Sequence, residues 1–344
     1  MTSPPLPEPP PSARAGQSAY PDPSPGAAAS AGAGALHAAA IYNSERDLRT
    51  WILSFLMEGL TRREKVVAIV PPRTAEILGS ALGSGAMMIQ WGVPGMDYQH
   101  LGRASEALRT FLDAQRAAGE TTRLLTENDL DGGSRGPGRL ASYLRSEAAA
   151  DELYGTHGFP WLCLYDQHRF TPGILADVER IHPHLLDDKG QPVLNQDHVD
   201  TVTYLSAHPG PVSVVPPTVR LDLDLTDIDD LGDIRRQTGE AMLAQGLSAA
   251  DTQLAEVAVG EVIANAFRHG VPPGRVRSWR EADAVIVRVD SAGPGPAVAV
   301  SGFRPPDLAA GSGAGLWVAR QIADVVHVET RRDGTTVELQ FPLP

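Results

Sequence analysis

Residues 256–270 read EVAVGEVIANAFRHG, and the reading of the C-terminal half starts from that stretch. Its length and composition are those of a buried helix, with Val257, Val259, Val262, Ile263, Ala264 and Ala266 apolar. Glu261 and Asn265 do not belong in such a run. They are four residues apart, so a helix stacks them on one face, and His269 continues the line by one more turn. Burying a carboxylate and a carboxamide without partners is costly. Two explanations stand. One is a structural hydrogen-bond cluster. The other is a ligand site in which Asn265 offers an oxygen to a cation and Glu261 a carboxylate to water.

The residues downstream favour the ligand site. Val285, Val287 and Val289 alternate as a half-buried strand that runs into Ser291-Ala292-Gly293-Pro294-Gly295. Gly311-Ser312-Gly313-Ala314-Gly315-Leu316 then opens a helical stretch, LWVARQIADVV. Gly334-Thr335-Thr336 starts a last strand with Val337, Leu339 and Phe341 on one face. Glycines at a helix start let backbone N–H groups approach phosphate, and the helix dipole favours an anion there.

In this order the motifs resemble the histidine-kinase-like ATPase domain shared by gyrases, sensor kinases and anti-sigma serine kinases, over residues 215–344. Glu261, Asn265, His269 and Gly270 match its first motif, Gly293 and Gly295 its second, Gly311, Gly313 and Gly315 its third, and Thr335 or Thr336 its last. The HG after the first motif and the GLWVARQIAD after the glycines look like the anti-sigma branch. The resemblance implies ATP among these elements, Leu316 included, with Mg²⁺ at Asn265 and Glu261 as the catalytic carboxylate near the attacking group. The family's second motif has an aspartate that reads adenine. Here Ser291 holds that place and Asp290 is one residue too early. Alternation puts Ser291 on the face of Val285, Val287 and Val289, and a local bulge would be needed to swing Asp290 round.

The bulk numbers bound the alternatives. A chain of 344 residues suggests two domains with linkers. A net charge of −13 argues against a DNA-binding surface. Cys163 is the single cysteine, which excludes an intrachain disulfide and suits the cytoplasm. No apolar run reaches membrane-spanning length, and no signal peptide is evident. Residues 1–34 are rich in Pro, Ala, Ser and Gly and read as a disordered tail.

From residue 36 the pattern alternates strands (LHAAAIY, KVVAIVP, AMMIQW, TTRLLT, FPWLCLYD) with helices from Ser44 and near 74–82, 104–118, 138–153 and 173–181. That predicts a mostly parallel, helix-covered α/β sheet. It has no Walker-type phosphate loop. His37, Tyr42-Asn43-Ser44, FLMEGL at 55–60, WLCLYD at 161–166 and ERIHPHLL at 179–186 resemble the MEDS (DcmR-type) sensory domain, a module that recurs ahead of anti-sigma kinases in actinobacteria. The resemblance implies a bound small molecule without naming it. His37, His157, Cys163, His168, His182 and His184 match no familiar zinc spacing, and Cys163 reads first as a packed thiol. Tyr165-Asp166, at a strand's carboxyl end, is a ligand position, or else Asp166 simply ties down the following loop.

The expected division is a MEDS-like domain at 36–205, a linker at 206–216 and a two-layer α/β ATPase sandwich at 217–344, with RLDLDL as an edge strand, a helix at 228–246 and Ser248 as an N-cap. The expected function is an anti-sigma regulator. Its sensory half controls an ATP-binding half that sequesters a sigma factor and phosphorylates an anti-anti-sigma (STAS-type) partner on Ser or Thr. A homodimer is compatible with it. The alternatives are a sensor histidine kinase, which needs a phosphoacceptor histidine that the 228–246 helix lacks, and a non-catalytic ligand-gated interaction protein.

Overall fold

The computed structural model describes residues 36–96, 101–127, 137–293, 300–306 and 314–343. The tail reading for 1–34 and the motif glycines Gly295, Gly311 and Gly313 lie outside these described residues.

In the N-terminal half, strands β1 (His37–Tyr42), β2 (Lys65–Ile69), β3 (Gln90–Trp91), β4 (Thr122–Glu127), β5 (Trp161–Asp166), β6 (His184–Leu186) and β7 (Pro192–Leu194) lie in the order β3-β2-β4-β5-β1-β6-β7. Every pairing is parallel except β6 with β7. The helical segments are α1 (Glu45–Asp47), a π segment at Leu48–Ile52, α2 (Leu53–Thr61), α3 (Pro72–Leu82), α4 (Leu101–Ala117), α5 (Pro137–Ala148), α6 (Ala150–Tyr154), α7 (Pro172–Ile181) and α8 (Thr201–Ala207). Successive strand residues alternate between two cores, as a sheet buried on both faces requires. Ala39, Val67, Leu124, Trp161, Cys163 and Tyr165 enter one core, and Ala38, Ala40, Val66, Leu125, Leu162 and Leu164 the other. The expected strand at AMMIQW shrinks to two residues. Gly83–Met88 is instead a 3-10 segment that leaves Met87 and Met88 exposed, and only Gln90 and Trp91 pair with β2 at the sheet edge.

In the C-terminal half, β8 (Leu221–Leu225), α9 (Leu231–Ala244), α10 (Ala249–His269), β9 (Val271–Glu281), β10 (Ala284–Ala292), α11 (Ala314–Ile322), β11 (Val325–Arg331) and β12 (Gly334–Pro342) build an antiparallel sheet in the order β11-β12-β10-β9-β8, so β8 is an edge as expected. Its core joins the sheet to all three helices through Met242, Val259, Val262, Ile263, Val287, Ala319 and Leu339. Ser248 caps α10, its Oγ accepting from the Asp251 amide at 3.1 Å. Two expectations change. The helix expected at 228–246 is a 3-10 turn at Ile228–Asp230 followed by α9. The stretch LWVARQIADVV is not one helix, because α11 ends at Ile322 and Val325-Val326 begin β11. Strand β9 has no counterpart in the sequence reading, because Pro272, Pro273 and Gly274 at its start and the arginines along it carry no strand pattern.

The far face of this second sheet is covered rather than open. His327 of β11 is fully buried, and a Cβ at Gly138 of α5 would lie 3.3 Å from its Nε2. A Cβ at Gly210 of the connector would overlap the same ring. Ser213 donates twice to Glu338, from its amide at 2.8 Å and its hydroxyl at 3.0 Å. The carboxyl end of α11 meets the N-terminal half as well. Arg139 pairs with Asp324 at 2.9 Å, and Arg103 donates to the Gln321 carbonyl at 3.1 Å. Gly102 is glycine because a Cβ there would overlap the Arg320 carbonyl oxygen. Among the described residues no helix is long and apolar enough to cross a membrane.

Candidate functional site

Helix α10 buries Ala255, Ala258, Val259, Val262 and Ile263 and leaves Glu261 and Asn265 half-buried beside them, with His269 exposed at its last turn. Val257, read from sequence as part of the apolar face, is instead exposed. The amino end of α11 lies against the polar line. A Cβ at Gly315 would sit 2.6 Å from Asn265 Nδ2 and 3.2 Å from Glu261 Oε2, so only glycine lets the helix start approach this closely. Leu316 follows, partly buried. Asn265 Oδ1 accepts a 2.8 Å hydrogen bond from Arg268. The arrangement brings a carboxylate, a carboxamide oxygen and the positive end of a helix dipole together, which suits an anion with an attendant cation.

Strand β10 forms the opposite wall. Val285, Val287 and Val289 face α10 through the core, so Ser291 shares their face. Consistently, a Cβ at Gly270, just past α10, would lie 2.9 Å from Ser291 Cβ. Gly293 has φ +99°, a conformation that suits glycine and few other residues. Register with β12 pairs Ser291 with Thr335 and Asp290 with Thr336 without a break. The register irregularity falls on the β9 side of β10, where Asp290 pairs with Arg275 but Ala292 with Val271. No bulge turns Asp290 towards α10.

Asp290 instead anchors the far face. It accepts from Thr336 at 2.6 Å, Arg277 at 2.5 Å and Arg288 at 3.0 Å. Burial opposes its charge, but these three donors hold the carboxyl below its usual range. Thr336 is committed to that network, whereas Thr335 Oγ is buried on the Ser291 side with no hydrogen-bond partner. The structure therefore gathers Glu261, Asn265, Ser291, Gly293, Gly315 and Thr335 on one side of the sheet and sends Asp290 and Thr336 to the other. Gly270 was legible as a motif residue, but its steric role needs the β10 contact.

In the N-terminal half, the sequence's histidines separate. His157 Nε2 meets Asp113 at 2.9 Å, His168 Nε2 the Asn43 carbonyl at 3.0 Å, and His184 Nδ1 the His37 carbonyl at 3.3 Å. His37, Cys163 and His182 converge, together with Glu147, which the sequence reading passed over. Asp166 Oδ1 accepts from the His168 amide at 3.0 Å, the loop-tying arrangement. Beside it at the strands' carboxyl ends, Tyr42 donates to Glu127 at 2.8 Å.

Residues 36–183 match the family model of the methanogen/methylotroph, DcmR sensory (MEDS) domain, and residues 226–341 that of the histidine kinase-like ATPase domain. The chain thus carries a MEDS domain followed by a histidine-kinase-like ATPase domain, and the second implies ATP binding. No curated protein matches the chain. Among solved structures it is similar to the RsbU and RsbW domains of Rv1364c from Mycobacterium tuberculosis, at 20% identity over 36% of this chain and 32% of that one, with a TM-score of 0.26. The match spans about a third of that protein's length. It is also similar to the catalytic domain of the histidine kinase ThkA, at 16% identity over 36% of this chain and 95% of that one, with a TM-score of 0.25. The histidine kinase domain of the E. coli osmosensor EnvZ is similar at 19% identity over 38% of this chain and 93% of that one, with a TM-score of 0.24.

Proposed function

We propose that the protein is an anti-sigma regulator whose sensory half sets the state of its ATP-binding half. In this reading the ATP-binding half sequesters a sigma factor and takes an anti-anti-sigma partner of the STAS type as phosphoryl acceptor. The domain limits that go with it are 36–205, 206–216 and 217–344. The observation that carries the reading is the position of α11. Its amino end lies on Glu261 and Asn265, and its carboxyl end is held by Gly102, Arg103 and Arg139 of the sensory half.

The residues present fit a nucleotide with Mg²⁺. Thr335 Oγ is an orphaned buried hydroxyl on the correct face, and Gly315 leaves space that any side chain would fill. Asn265 would hold the cation through the oxygen now given to Arg268, hard oxygen donors being what Mg²⁺ takes. Bound Mg²⁺ supplies charge neutralisation between phosphates. Glu261 orients the acceptor hydroxyl and takes its proton. Ser291 offers adenine a neutral hydroxyl where the family has a carboxylate. Phosphoryl transfer is therefore expected to be slow, with sequestration the main activity.

The test is incubation of the full chain with γ-labelled ATP and candidate STAS partners, alongside a pull-down of sigma factors. Label on a partner Ser or Thr, or nucleotide-dependent sigma binding, supports the reading. Label on a histidine of the chain itself would replace it with a sensor histidine kinase. Neither label nor sigma binding would leave only a ligand-gated interaction protein.

A further inference from the structure

On the face of the parallel sheet covered by α5 and α7, four buried side chains converge. His37 opens β1, Cys163 lies in the adjacent β5, Glu147 is on α5, and His182 follows the last residue of α7. One donor atom from each lies within 4.8 Å of all the others. His37 Nε2 is 3.8 Å from Glu147 Oε1 and 3.6 Å from Cys163 Sγ, and His182 Nε2 is 3.4 Å from Glu147 Oε1. A tetrahedral zinc ion with bonds of about 2.0–2.3 Å has ligand-to-ligand edges of about 3.3–3.8 Å. The three separations above fall on that scale and no pair exceeds 4.8 Å, so binding would draw the four atoms somewhat closer.

The protonation pattern points the same way. His182 Nδ1 is 2.7 Å from the Val178 carbonyl oxygen, which can only accept, so Nδ1 carries a proton and Nε2 is the nitrogen turned to the cluster. His37 Nδ1 is likewise 3.0 Å from Asp151 Oδ1. A carbonyl or a carboxylate behind the ring is how metal-binding imidazoles are oriented. Glu147 Oε1 and His182 Nε2 are both buried without a hydrogen-bond partner. They face each other at 3.4 Å, a gap that a proton or a metal cation between them would close.

The competing occupant is a proton. Burial works against a charged His37, but Asp151 and Glu147 beside it bring its pKa to about 9. A proton on His37 would answer Glu147. What favours a metal ion is the geometry: two imidazole nitrogens, a carboxylate oxygen and a sulfur converge on one point, the donor set of a closed zinc site.

We propose that His37, Glu147, Cys163 and His182 form a closed, four-ligand site for a divalent transition-metal ion, with zinc the ion that this nitrogen, sulfur and oxygen set fits. All four ligands are buried and no position is left open to solvent, so the ion fastens α5 and α7 to β1 and β5. Helix α5 is also the element whose Arg139 pairs with Asp324 and whose Arg145 holds the Leu205 and His208 carbonyls. The site is thus one helix away from the ATPase half. Uptake requires the Cys163 proton to leave, so binding releases a proton to solvent.

The test uses the full chain, purified without chelator. Elemental analysis should find close to one zinc per chain. After stripping, Co²⁺ should give visible bands of a tetrahedral ion with a thiolate-to-cobalt charge-transfer band. Cys163→Ser should lose the charge-transfer band, and His182→Gln should weaken uptake at least about tenfold. The cobalt spectrum of the unmutated chain decides the matter even where a variant does not fold. A cooperatively melting chain that takes up neither Zn²⁺ nor Co²⁺, or cobalt uptake with no thiolate band, would overturn the site and leave a buried ion pair.

Discussion

Gly102→Ala gives a test in which the sign of the effect is informative. Gly102 is the second residue of α4, where alanine is the better helix former by up to about 0.8–1.0 kcal/mol. Were the carboxyl end of α11 not seated on α4, that preference alone would act and the variant would be more stable. In the structure the added Cβ would lie 2.5 Å from the Arg320 carbonyl carbon and 3.1 Å from the Gln321 amide. Carbon atoms rest at roughly 3.5–4.0 Å, so α11 would have to retreat by about 1 Å. The obstacle is backbone, not the mobile tip of a side chain, and the Arg103 and Arg139 contacts would stretch with it. Overpacking of this kind costs about 1–3 kcal/mol. Set against the helix preference, a net loss of up to about 2 kcal/mol is expected. Urea unfolding of the full chain and its variant, at equal slope, reads it as a lower midpoint. A midpoint that rises would refute the docking of the two halves.

Asn265→Ala should cut Mg²⁺-dependent nucleotide affinity by about ten- to a hundredfold, the worth of a bond to a charged group, without lowering the melting temperature; titration calorimetry with and without Mg²⁺ measures this. Glu261→Ala should leave affinity in place and remove any transfer of labelled phosphate. Ser291→Asp should tighten ATP about tenfold and sharpen its preference over GTP, since bonds to a charged acceptor are worth about 1.5–3 kcal/mol against roughly 1 for neutral ones. Asp290→Ala should lower stability, through loss of its Arg277, Arg288 and Thr336 bonds, while sparing ATP affinity. His327 gives a pH dependence: burial, then Arg320 and Arg145, lower its pKa from 6.5 to about 3. The unfolded chain binds the proton more readily, so this contribution is fully present above about pH 6.5 and is lost as pH falls towards 3, about 3 kcal/mol by pH 4.5. His327→Gln should flatten that part of the stability profile, and an unchanged slope would contradict it.

What the sequence disclosed depended on how local the signal was. Glu261 and Asn265 stood out because a 3.6-residue period makes polar intruders visible on an apolar helix. The Ser291 register was legible for a similar reason, as the Val285-Val287-Val289 alternation fixes which face each residue takes. The role of Thr335 was not, since choosing between two adjacent threonines needs the β10–β12 register. Strand β9 was hidden by its prolines and arginines, because its charged side chains answer Asp222 and Asp290 across the sheet, not a pattern within the strand. Glu147 is far in sequence from His37, Cys163 and His182, so no spacing rule could collect the four. Gly102 lay just ahead of the helix expected near 104–118, and only the placing of α11 against it gives it a role.

The geometry of α11 also limits how the two halves can communicate. The helix has nine residues, so its ends are about 13 Å apart, and it moves as a rigid piece. Its carboxyl end is fixed by backbone contacts at Gly102 and by the buried Arg139–Asp324 pair, neither of which adapts gradually. Its amino end rests on Asn265 and Glu261, at the residues proposed to hold the nucleotide. Under the proposed function, a ligand that shifts α4 or α5 is expected to change nucleotide affinity through this helix, and nucleotide binding to change the sensory half's ligand affinity by the same factor. Couplings of this kind are worth about 1–3 kcal/mol, so a fewfold to hundredfold effect is the expected range. Gly102→Ala should reduce that coupling along with the stability, because it loosens the one end of the helix that the sensory half holds.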